Sequence, residues 1–102
     1  MKNKTHMRQL ALYLGVDPFP EEPAGVDVFL PFLERMRAEG AVVLLKWDGQ
    51  RTQPGDTGPY TALVSGPMLG MDGPFRTDAR SLEDALMLSI VNYAQRCWGF
   101  QS

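Results

Sequence analysis

AVVLLKWDGQRTQPGDTGPYTALVSGPMLGMDGPFRTD, residues 41–78, decides the fold. Ala41 to Trp47 is rich in β-branched and aromatic residues and bounded by Gly40 and Asp48-Gly49, so it reads as a strand. Residues 48–58, DGQRTQPGDTG, are a polar, turn-rich loop. Tyr60 to Ser65 is a second strand, Gly66 to Gly73 a second connector, and Phe75 to Asp78 a short third strand. Short connections between consecutive strands favour an antiparallel meander.

Outward from this core, each flank carries a helix. On the N-terminal side Asp27 stands as an expected N-cap, with Pro31 in the first turn, where a missing N–H costs little. Val28, Phe29, Phe32, Leu33 and Met36 share one arc, and Gly40 ends the helix. On the C-terminal side Ser81 caps a helix running to about Arg96, with Glu83 and Asp84 suiting the positive helix end. Its apolar arc is broad: Leu82, Leu86, Met87, Ile90, Val91, Tyr93, Ala94, Cys97 and Trp98. An arc that wide calls for two packing partners, and the expected pair is the sheet and the Asp27 helix. Residues 6–14 form a further short helix through Met7, Leu10, Ala11 and Leu14. Residues 16–25, VDPFPEEPAG, hold three prolines and a glycine and make a connector. The expected organisation is an N-terminal arm over 1–25 and one α+β domain over 26–102. The expected order is (α)-α-β-β-β-α, with both main helices on one face of a three-stranded antiparallel meander.

Bulk properties narrow the function. One domain is the natural reading of 102 residues, and 44% hydrophobic with 22% charged residues is an ordinary globular balance. The net charge of −2 gives no general attraction to nucleic acid or anionic lipid. The single cysteine, Cys97, cannot make an internal disulfide, and no convincing signal peptide is present, so a cytoplasmic protein is expected. No apolar run approaches the ~20 residues of a membrane-spanning helix.

The element order resembles that of the double-stranded-RNA-binding domain, and the β-β-β-α portion loosely resembles the small antitoxin proteins of the HicB type. Either resemblance covers residues 28–96 in order alone, and no motif identifies a family. The first implies RNA binding, through lysines at the start of the last helix. Here that stretch is Arg80-Ser81-Leu82-Glu83-Asp84, with two acids in their place. Lys46, Arg51, Arg76 and Arg80 are matched by Asp48, Asp56 and Asp78.

Other chemistries find little to use. Gly66 to Gly73 lacks the Gly-Lys-Ser/Thr ending of a phosphate loop and leads to a strand. His6 is the only histidine, Cys97 lies on an apolar arc, and Asp48, Asp56 and Asp72 sit where aspartates close turns. No metal, cofactor or catalytic site is expected; a small enzyme using carboxylates of loops 48–58 and 66–73, or an Asp72–Asp78 pair, is the minor alternative.

The positive signal is the sheet itself. With Val43, Leu45, Trp47, Tyr60, Ala62, Val64 and Phe75 facing the helices, the opposite face shows Val42, Leu44 and Leu63 rimmed by Lys46, Thr61, Ser65 and Arg76. A solvated face should be mostly polar. Either the N-terminal segment covers this one through Met7, Leu10, Leu14 and Phe19, or a protein does. The expected function is therefore a small non-enzymatic protein-binding domain of the inhibitor, antitoxin or immunity type. Val42, Leu44, Lys46, Leu63 and Arg76 would form its protein-binding surface, toward a partner protein or a second copy. RNA binding is the alternative from a different class.

Overall fold

Alternation of apolar residues places three strands side by side, and the computed structural model, which describes residues 2–23, 25–51, 53–55 and 58–101, has them in one sheet. Helix α1 is Lys2–Leu14; a 3-10 turn over Asp27–Phe29 leads into α2, Leu30–Ala38. Strands β1 (Val42–Trp47), β2 (Tyr60–Ser65) and β3 (Phe75–Ala79) follow, with a 3-10 segment at Pro67–Asp72 before β3, and α3 is Leu82–Cys97. The fold is α+β, in the order α-α-β-β-β-α, and the sheet order β1-β2-β3 is antiparallel throughout.

The register pairs Val43, Val64 and Phe75 across the sheet, then Leu45, Ala62 and Thr77, then Trp47, Tyr60 and Ala79. These residues face the helices. The other face carries Leu44, Leu63 and Arg76 in one row and Lys46, Thr61 and Asp78 in the next. Gly58 makes the β1–β2 return possible: its φ is 121°, and a Cβ there would overlap the backbone of Ala79 and Arg80.

Helix α3 starts as its sequence indicates, with the Ser81 hydroxyl accepting from the Asp84 amide at 3.1 Å. Ala62, Ala79 and Ala85 then form a small buried cluster, which lets the helix approach the sheet closely. One turn later a polar pair joins the same interface, buried Ser89 and half-buried Thr77: Thr77 Oγ1 and Ser89 Oγ lie 2.7 Å apart, and Ser89 donates to the Ala85 carbonyl at 2.8 Å. Both hydroxyls are satisfied, so their burial costs little.

Two expectations are corrected. The main helical partner of α3 is α1, not the Asp27 helix. Met7, Leu10 and Ala11 bring α1 into the same buried cluster as Phe29, Phe32, Leu86 and Ile90. Helix α1 also begins earlier than position 6, and Tyr13 ties its end to the C-terminus by donating to the Trp98 carbonyl at 2.7 Å. Second, Asp27 does not cap a helix. It lies inside the 3-10 turn, the residue before it, Val26, is already helical in conformation, and no side chain caps the start. Pro31 does occupy the first turn of α2.

The connector is pinned as well. Phe19 is buried with its ring centroid 5.5 Å from that of Phe29 and 6.5 Å from that of Phe32. Where α2 ends, the Glu39 carboxylate accepts from the Tyr93 hydroxyl at 2.8 Å and the Trp98 indole N–H at 2.8 Å, tying the end of α2 to the end of α3. Burial, then the Glu39 carboxylate, pushes the Tyr93 hydroxyl above its ordinary acidity range, so it stays a donor at any ordinary pH.

Because Met7 is fully buried, Met7→Ala is expected to cost about 2–4 kcal/mol in urea unfolding, as for other large-to-small changes in a core. A cost below about 0.5 kcal/mol, the range of surface changes, would mean that α1 is not part of the cooperative unit.

Candidate protein interface

The sheet face away from the helices is open. Val42, Leu44 and Leu63 are 52%, 58% and 40% exposed. Leu44 and Leu63 are directly opposite in the register, and Val42 lies on the same face of β1, so the three make one patch on adjacent strands. The alternative that the N-terminal segment covers this face is overturned. Met7, Leu10 and Phe19 are buried on the helix side, and Leu14 packs against that same core.

The other half of the face is polar and internally paired. The Thr61 hydroxyl donates to Asp78 Oδ1 at 2.5 Å, Arg76 Nε donates to the same oxygen at 3.1 Å, and Arg51 Nη1 reaches it at 3.1 Å. Arg51 also stands 3.4 Å from Asp48, and Lys46 lies 3.6 Å from Asp48. The chain of ions therefore runs Lys46–Asp48–Arg51–Asp78–Arg76 across all three strands. Asp48 is placed for it by an Asx turn, its carboxylate accepting the Gln50 amide at 3.0 Å. Thr61, on the outer face between Lys46 and Asp78, is only 2% exposed.

The acidity of the two aspartates follows from these contacts. The Thr61 hydroxyl, followed by Arg76 and Arg51, holds the Asp78 carboxyl below its ordinary 3.8, against the opposing effect of burial. The Gln50 amide, helped by Lys46 and Arg51, lowers Asp48 in the same way. A downward shift is that of an ion-paired carboxylate; a general acid working near neutral pH needs the reverse.

Of the five interface residues expected from sequence, Val42, Leu44 and Leu63 come together as the apolar half, while Lys46 and Arg76 sit at opposite ends of the ionic chain. Ser65 is half-buried beside Val42. Trp47 departs from expectation. It has the inward phase, paired with Tyr60 and with ring centroids 6.2 Å apart, yet it is 61% exposed, because the helical layer ends before it. Arg51, Thr61 and Asp78 complete the ionic chain. Asp78 is recoverable by counting alternation from Arg76; the reach of Arg51 from a loop is not.

The remaining candidates scatter. His6 is half-buried on α1 beside Thr77, Leu88 and Asn92. The Cys97 thiol donates to the Met68 carbonyl at 3.4 Å, and burial raises its pKa. Asp72 ends the 3-10 segment, and Asp56 lies outside the described residues. Among the described residues no three His, Cys, Asp or Glu side chains converge, and no helix is long and apolar enough to cross a membrane. No protein-family model, curated protein or solved structure matches the chain, so the double-stranded-RNA-binding resemblance rests on element order alone.

A lowered folded-state pKa means that Asp78 stabilises the fold above pH ~4, and that this contribution drains away as pH falls below its ordinary 3.8. Thr61→Val removes the leading cause. A carboxyl NMR titration should show the Asp78 midpoint move up toward 3.8 in the variant. An unmoved midpoint would show that the Thr61 contact does not hold the carboxylate.

Proposed function

We propose that this chain is a non-enzymatic protein-binding domain that acts by stoichiometric contact in a reducing, cytoplasmic compartment, as an inhibitor, antitoxin or immunity-type protein does. The observation that supports it is the outer sheet face: Val42, Leu44 and Leu63 exposed together beside an ionic chain in which three cations share two carboxylates. Leu44 and Leu63 supply the area that a partner desolvates, and Lys46 and Arg76 at the two ends of the chain orient it. An apolar centre with a polar rim is the ordinary anatomy of such contacts.

Double-stranded RNA fits this surface less well. Arg51 and Arg76 already share Asp78, and Lys46 is matched by Asp48, so phosphates would have to compete with carboxylates 3.1–3.6 Å away.

The test uses Leu63→Glu, which places a charge at the middle of the patch on the central strand. A partner captured from the native host should bind the wild-type protein at fixed stoichiometry by calorimetry and bind the variant at least 10-fold more weakly, about 1.4 kcal/mol. Leu12→Glu, on the exposed side of α1, should leave the affinity unchanged. Equal loss in both variants, or none in Leu63→Glu, would remove the outer face as the binding surface.

A further inference from the structure

The sheet order leaves β1 as an edge strand, and its backbone dictates what can pair with it. The Asp48 amide donates to the Pro59 carbonyl at 2.8 Å, which extends the β1–β2 ladder by one residue. Donors and acceptors alternate along an antiparallel strand. Lys46, Leu44 and Val42 therefore address β2, while Val43, Leu45 and Trp47 turn their N–H and C=O groups to the open edge. No group among the described residues meets them.

Apolar side chains stand on both sides of this edge. Val42 and Leu44 flank it on the outer face. On the helix side a cleft of about 290 Å³ runs between α2 and β1, lined by Leu30, Leu33, Arg37, Val43, Leu45 and Leu86. Trp47 stands at the far end of the same strand, on the same side, packed edge-on against Tyr60 and still 61% exposed. The opposite edge, β3, instead presents Arg76 and Asp78 on its outer face.

We propose that β1 pairs antiparallel with β1 of a second copy, about a two-fold axis at Leu45. Opposed residues in such a pair must face the same side of the sheet, so only even registers are allowed. Centring on Leu44 would set Trp47 against Ala41, whose amide is already bonded to the Met36 carbonyl at 3.0 Å. Centring on Leu45 sets Leu45 against Leu45 and Val43 against Trp47. It gives every open N–H and C=O of the three edge residues a partner on the same three residues of the other copy, about six hydrogen bonds in all.

That register also fills the cleft. Trp47 of each copy comes opposite Val43 of the other, on the helix side, where Leu30, Leu33 and Arg37 line the opening. The contact is isologous: each copy offers the same plug and the same socket. On the outer face Lys46 lies across from Leu44 of the second copy. Its alkyl stem covers the leucine while its charge stays with its own Asp48, 3.6 Å away. Trp47 and Leu30, on the helix side of the edge, are 61% and 44% exposed and together offer on the order of 250 Å² per copy. With the strand backbone added, the contact stays at the small end of specific interfaces, the size range of weak, concentration-dependent pairing. Pairing at the edge joins two outer faces into one broader platform and is independent of what that platform binds.

Sedimentation of the full chain from about 1 µM to about 300 µM tests this. The expected mass rises from one 11.4 kDa chain to twice that, and exchange of the Val43, Leu45 and Trp47 amides slows as the dimer fills. Val43→Pro removes an edge N–H that no bond among the described residues uses, a position where strands tolerate proline. Trp47→Ala truncates a mostly exposed side chain. Each should weaken the dimer at least 10-fold, and Leu63→Glu, off the edge, should not. A single-chain mass at every concentration, or a dimer that survives Val43→Pro and Trp47→Ala, would overturn the proposal. So would one abolished by Leu63→Glu alone, which would place self-association on the outer face.

Discussion

Helix α3 buries residues around too much of its circumference for one neighbour to cover. Leu86, Ile90 and Tyr93 sit in the core with Ala85 and Ser89 against the sheet, and Met87, Val91 and Ala94 are buried as well. The sheet can take only one side of such a cylinder, so a second apolar surface must take the rest. Met7, Leu10 and Ala11 of α1 supply it. That use of α1 has a consequence at a distance. Once the N-terminal segment is committed to the helix side, and Phe19 is locked against Phe29 and Phe32, no helix among the described residues remains to lie over the far face of the sheet. The helices pack on one side of the sheet, and the residues of its other side meet solvent.

The exposed face is then divided by electrostatics. An apolar patch spanning three strands would be an aggregation hazard. Here the apolar part is limited to Val42, Leu44 and Leu63, and the rest is held by the chain from Lys46 to Arg76. Asp78 receives Thr61, Arg76 and Arg51 together, so the carboxylate is charged and heavily used. The basic groups gain little field beyond the surface, which suits recognition of a protein better than attraction of a polyanion.

The sequence made the local parts legible. Alternation in residues 42–47 and 60–65 gave the strands and their phase, and Ser81 announced the start of α3 through its own hydrogen bond. Ser89 and Thr77 were partly available, since one sits at the edge of the α3 arc and the other in the inward phase of β3, but polar residues at such positions do not declare themselves as packed into an interface. What spacing cannot carry is the choice of partner. Nothing in Met7, Leu10 and Ala11 distinguishes docking on α3 from docking across the outer face, because both offer the same apolar stripe. Trp47 shows the same limit: its phase is legible, but its burial depends on how far the helical layer extends. The tie from Arg51 to Asp78 spans 27 positions in sequence and depends on loop geometry, which composition does not encode. Asp27 has the chemistry of a cap, and the backbone uses a 3-10 turn there instead.

The openness of the outer face is measured most directly by relaxation of side-chain methyl protons from a soluble paramagnetic probe, on dilute protein. The account predicts strong enhancement at Leu63, Leu44 and Val42, and little at Met7, Leu10 and Leu86. Protected methyls at Leu63 and Leu44, with Met7 and Leu10 accessible, would contradict it, because the N-terminal helix would then be lying on the wrong side of the sheet.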